Sequence, residues 1–136
     1  MSQLQEIEEI RRVFKGLQTL YQTYLPKVDP VLIHDLLIRE QEADLKKKGS
    51  SPPFYMVEIF TKEGTDSEWM KNRIYQKTGM IPSIFDKGTH YVTNHRLTLE
   101  ILKEICDSEN VLEVTGEYTG GIGGWGASHE ARSHTH

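Results

Sequence analysis

The side chains best able to do chemistry stand at the end of the chain. His129, His134 and His136 close the 136-residue sequence, and His134-x-His136 has a spacing that can ligate a transition metal. They lie in a glycine-rich run with no cysteine nearby and only Glu130 as a carboxylate. Such ends take up nickel or copper opportunistically, so neither a metal site nor any other cofactor is expected. Two more histidines, His90 and His95, flank a short strand-like stretch, where strand-end and helix-cap roles explain them as well as a paired site does. His34 stands among apolar residues and is expected to pack there. Glu58 is the charged residue inside a strand-like run, hence the first candidate for a perturbed carboxylate. A carboxylate at the rim of a covered patch, paired with a Lys or Arg, explains it equally.

Nucleophilic chemistry has little support. Cys106 falls on the apolar side of a helical pattern, where a thiol is a small inert group. None of the serines has a G-x-S-x-G context. The glycine run Gly116 to Gly126 contains G-G-x-G-G, but a phosphate cradle must lead from a strand into a helix, and none follows. No catalytic residue is therefore assigned, and an enzyme is the less favoured class.

Sixteen Lys and Arg against twenty Asp and Glu give a net charge of −4, which disfavours sequence-blind nucleic-acid binding. Lys71, Arg73 and Lys77 form a modest basic face, more easily read as solvated than as a phosphate cradle. No apolar run approaches the roughly 20 residues of a membrane span. With one cysteine and no signal-peptide core at the start, a reducing, cytoplasmic setting is the expectation.

The elements that must position these groups follow from periodicity. Ile7, Ile10, Phe14, Leu17, Tyr21 and Tyr24 recur at 3, 4, 3, 4, 3 and predict a helix with one apolar stripe, widened by Val13, Leu20 and Leu25. Pro26 ends it. Asp29-Pro30 starts a second helix, apolar on nearly every side in its first half and charged from Arg39 to Lys48. The short turn makes the two helices antiparallel neighbours. Residues 1–49 thus read as a helical hairpin with more apolar surface than two helices can hide.

Gly49-Ser50-Ser51-Pro52-Pro53 is a break. Beyond it the pattern predicts a strand at 54–62, a helix at 67–78 stopped by Gly79, strands at 80–85 and 90–93, a helix at 97–107 and a last strand at 111–119. In that last strand Leu112, Val114 and Tyr118 are expected to point inward. The order β-α-β-β-α-β is that of a ferredoxin-like two-layer sandwich over 50–119. Pro82 fits, because the second strand of that arrangement is an edge, where a missing N–H does least harm. Residues 120–136 read as a flexible tail with Trp125 as its large apolar anchor. The fold class expected is α+β: hairpin, ferredoxin-like sandwich, tail.

In such a sandwich helices cover one side of the sheet. If Tyr55, Val57 and Ile59 face them, then Phe54, Met56, Glu58 and Phe60 point to the other side as an apolar patch, which marks a binding site unless the hairpin folds back over it. Stacking of bases on strand aromatics is a known use of such a face, but the [KR]-G-[FY]-[GA]-[FY] run of RNA-recognition domains is missing and Glu58 would sit among phosphates. The functional expectation is a small cytoplasmic protein-interaction module, an assembly or regulatory factor. It would bind a protein partner, or a second copy of itself, through Phe54, Met56, Glu58, Phe60, Tyr118, Ile122 and Trp125 together with the hairpin. The rival class is a small enzyme or ligand-binding protein with a pocket between hairpin and sheet near Glu58.

Overall fold

The computed structural model describes residues 2–46 and 51–120, with side chains as far as Ala43 in the first range. Helix α1 (Gln3–Tyr24) opens with a capping box: the Ser2 hydroxyl accepts from the Gln5 amide, and the Gln5 side chain accepts from the Ser2 amide. Helix α2 (Pro30–Lys46) starts where Asp29 accepts the Val31 N–H at 3.0 Å. Then follow β1 (Phe54–Thr61), α3 (Ser67–Thr78), β2 (Ser83–Phe85), β3 (His90–Arg96), α4 (Leu99–Cys106) and β4 (Val111–Tyr118). Asp66 caps α3, and Gly79, at φ 80°, closes it in the left-handed conformation glycine adopts without strain. The architecture is α+β: four helices and a four-stranded antiparallel sheet in the order β2-β3-β1-β4.

Two strand boundaries differ from the sequence expectation by more than one residue. Strand β2 is only three residues, because Met80 and Ile81 precede it and Pro82, without an N–H to give, is buried just outside the ladder. Strand β3 runs three residues further, to Arg96, because it pairs with β1 along nearly its whole length, Phe54 opposite Arg96 and Phe60 opposite His90.

Register sorts the side chains between two faces. Tyr55, Val57 and Ile59 oppose His95, Thr93 and Tyr91 on β3, and all six are buried. Met70 and Ile74 of α3, Leu102 and Ile105 of α4, and Leu32, Ile33 and Leu36 of α2 belong to the same core. Helix α2 therefore lies on the side already covered by α3 and α4. The Lys27 ammonium fixes the hairpin turn there by donating to the Cys106 and Ser108 carbonyls at 3.0 Å each. The turn also closes the β4 edge: Val28 bridges Val114 in parallel, with Asp29 N–H donating to the Val114 carbonyl and Val114 N–H to that of Lys27. A bare strand edge is a pairing hazard, and this short bridge removes part of it. The hairpin thus does not fold back over Phe54, Met56 and Phe60.

Helix α1 buries none of its 22 residues. Tyr21, Leu17 and Leu25 are half-buried, while Ile7, Ile10, Val13, Phe14, Leu20 and Tyr24 are exposed, Ile10 to 70%. The expected packing of His34 also fails; it is exposed on the outer side of α2.

A bulge corrects β4. Phe60 opposes Glu113 but Thr61 opposes Val111, so one residue, Leu112, is extra. Val111 and Val114 both turn inward and Leu112 is 53% exposed, whereas strict alternation had placed Leu112 in the core. Close strand approach follows at Gly116, where a Cβ would stand 2.5 Å from the Met56 carbonyl oxygen and 3.4 Å from the Val57 Cα. The obstacle is backbone, which cannot swing away. Gly116→Ala should therefore cost about 1–3 kcal/mol of stability, the range for overpacking. A urea midpoint equal to that of the unsubstituted protein would contradict this packing.

Candidate functional site

Two surfaces collect the groups that the sequence and the fold single out. The first is the sheet face turned away from the helices. Phe54, Met56, Glu58 and Phe60 of β1 share it with Arg96, Asn94, Val92 and His90, their partners on β3. No described helix covers this face, yet its centre is not bare: Met56 is buried, and Phe54, Glu58 and Phe60 are half-buried.

His90 is the hub of one end. Its Nε2 lies 3.0 Å from Glu58 Oε1 and its Nδ1 3.7 Å from Asp86 Oδ2. The ring stacks on Phe60 with centroids 4.5 Å apart and tilts against Phe85 at 5.5 Å. Both ring nitrogens face carboxylates and the ring packs against two aromatics, so side chains from β1, β2 and the turn before β3 hold the imidazole in place. Glu58 is thereby paired, with a histidine rather than the Lys or Arg expected. At the other end Arg96 lies over the Phe54 ring at 4.8 Å and donates to the Pro52 carbonyl.

Tyr118, expected to point inward and also named with the tail as a contact residue, lies on the helix side of the sheet. It stands across from Tyr55 in the ladder and meets it edge-on at 5.7 Å. The Arg39 guanidinium of α2 covers the Tyr118 ring at 3.4 Å and donates to Asp35, which also accepts the Tyr55 hydroxyl at 2.5 Å. Burial, then the bond to Asp35, pushes the Tyr55 hydroxyl well above the usual tyrosine range, so it stays a donor. This quartet ties α2 to the sheet. Ile122 and Trp125, with His129, His134 and His136, lie outside the described residues.

The second surface is a groove between α1 and α2, of about 240 Å³, with Phe14, Leu17 and Tyr21 on one wall and Val31, His34 and Ile38 on the other. Val31, His34 and Ile38 were not assigned from sequence. Their 3, 4 spacing was a signal for a second, outward stripe on α2, masked by the core-facing Leu32, Ile33 and Leu36 between them.

The remaining candidates have structural partners. Lys71 pairs with Glu68 and Lys77 with Glu104, and Arg73 donates to the Glu104 carbonyl, so the basic face of α3 is held by its own neighbours. Burial raises the Cys106 thiol to about 11, which keeps it un-ionised and unreactive. Among the described residues no group of three or more His, Cys, Asp or Glu side chains is arranged to hold a metal ion. No described helix is long and apolar enough to cross a membrane. A comparison with protein-family models, curated proteins and solved structures finds no significant match to this chain.

His95 is buried on the helix side of β3. Its Nδ1 lies 2.8 Å from the Arg96 carbonyl, while its Nε2 has no partner among the described residues. Burial lowers its basicity below the usual 6.5, because a charged ring there would lose its water. A group depressed in the folded state is protonated first in the unfolded chain, so folding loses stability as pH falls below about 6.5. The urea midpoint should be flat from pH 8 to 7 and decline between pH 6.5 and 5. His95→Leu should flatten that decline, and a decline left intact in the variant would assign it to another group.

Proposed function

We propose that this chain is a small protein-interaction module, an assembly or regulatory factor whose working surface is the hairpin. The carrying observation is α1: a helix of 22 residues that buries none of them and exposes Leu4, Ile7, Ile10, Val13, Phe14, Leu20 and Tyr24 of its apolar stripe. Exposed apolar stripes of that extent on a folded chain are binding surfaces far more often than idle ones. The groove beside it adds a concave, apolar seat in which Phe14 and Val31 face a partner's side chains. Aromatic anchors in such a seat carry most of a contact's free energy.

The part of the chain from β1 to β4 is read as ferredoxin-like, a reading supported by the β-α-β-β-α-β succession with β1 and β3 inside and β2 and β4 at the ends of the sheet. The sheet face of Phe54, Met56, Glu58 and Phe60 is the secondary contact surface in this proposal, since its histidine clamp and half-burial leave less apolar area to offer. A cytoplasmic setting suits the lone, unreactive Cys106. The enzyme reading draws less support, since among the described residues α2 and Glu58 stand on opposite sides of the sheet.

A photo-crosslinking residue at Val31, 73% exposed in the groove, tests the proposal in extract from the native cell, with the same residue at exposed Glu109 as control. The expected result is a discrete protein adduct at position 31, absent at position 109 and largely lost when Phe14→Asp is added. Equal adducts at both positions, or none, would remove the hairpin as a contact surface.

A further inference from the structure

We propose that the partner of the exposed α1 stripe is α1 of a second copy of this chain, packed in parallel along its N-terminal half. This rests on reading the hairpin as a contact surface and names its occupant. The stripe has the 3, 4 alternation of a coiled-coil seam, with Ile7 and Phe14 at one core position and Ile10 and Leu17 at the other. The groove with α2 is lined on α1 by Phe14, Leu17 and Tyr21, so the stretch before Phe14 lies beyond it, and there Leu4 and Ile10 are about two-thirds exposed and Ile7 40%.

Charge selects the occupant and the direction. The acids of α1 cluster at Glu6, Glu8 and Glu9 and its bases at Arg11, Arg12 and Lys15. Glu9 pairs with Arg12 and Glu8 with Arg11 along the exposed face, while Glu6 has no ion pair among the described residues. Glu6 and Arg11 flank the seam on opposite sides, five residues apart. In a parallel two-stranded coil those are the positions that meet across the interface, so a second copy supplies Arg11 to Glu6 twice over by symmetry. An antiparallel pairing of the same free stretch sets Arg11 against Leu4 and Glu6 against Val13, so neither charge gains a partner across the interface. Equal numbers of acids and bases on α1 also give no net attraction to an anionic membrane. The free stretch is about 18 Å long at 1.5 Å per residue, short for a coiled coil, so the association is expected in the micromolar range rather than tighter.

Sedimentation equilibrium of the full chain, across low to high micromolar concentrations, should show mass rising from one copy to two. Ile10→Asp should abolish the rise with little change in the thermal melt of the single copy, because Ile10 is 70% exposed in its own chain. Glu6→Arg and Arg11→Glu should each weaken self-association about tenfold, the scale of a lost flanking pair and a new like-charge contact, and a mixture of the two variants should associate better than either alone. A chain that stays monomeric throughout overturns the inference. So does a dimer indifferent to both charge changes, or binding to phosphatidylserine vesicles without self-association. A Val31 adduct with a different protein, from a chain that remains monomeric, would overturn the second copy as occupant while sustaining the interaction module itself.

Discussion

Everything in this molecule hangs from the hydrogen bonding of β1 on both of its edges. β3 and β4 pair with it along nearly their full lengths, so its residues alternate strictly between two faces: Tyr55, Val57 and Ile59 to one, Phe54, Met56, Glu58 and Phe60 to the other. A slip of one residue would exchange those sets and put Glu58 in the core. With the register set, one face gathers the core of α2, α3 and α4, and the other is left to the histidine clamp and the Arg96–Phe54 stack.

That arrangement also decides what the hairpin is for. Because α2 joins the helical layer at the β4 edge, its apolar first half splits into two roles. Leu32, Ile33 and Leu36 complete the core, while Val31 and Ile38 face outward. Asp35 and Arg39 fasten this placement to Tyr55 and Tyr118. Of these groups only Tyr55 is buried, so a different placement of the helix would leave its hydroxyl without an acceptor, at a cost larger than the net worth of the bond. Helix α1, half-buried at Leu17 and Tyr21 and tied at its end by the bond from Lys103 to the Tyr24 carbonyl, is left with much of its apolar surface outside. A folded chain that keeps such a stripe forgoes the burial that would otherwise stabilise it, which is why the stripe is read as a contact surface.

The two candidate surfaces differ in how they hold charge. On the sheet face Glu58, His90 and Asp86 form a local cluster, and the ring packs against Phe60 and Phe85. Along α1 the charges lie on exposed flanks where water screens them, so they steer orientation and choice of partner more than they add affinity. The apolar seam must supply the affinity.

Local signals carried much of this in the sequence alone. Asp29-Pro30 and Gly79 mark helix ends because caps are short-range hydrogen bonds, legible within four residues. Periodicity showed the stripe of α1 and the two-faced character of β1, since both depend only on spacing. Three things needed the tertiary structure. The bulge that expels Leu112 is a property of pairing between strands fifty residues apart, and no residue of β4 announces it. The side on which α2 packs depends on Val28 meeting Val114 and Asp35 meeting Tyr55, contacts without a sequence signature. The position of Tyr118 follows from both, because its face is set by register with Tyr55 and its cover by Arg39. Spacing along the chain determines which residues share a face; only the folded chain, by deciding what packs against each face, determines which of them remain outside to bind.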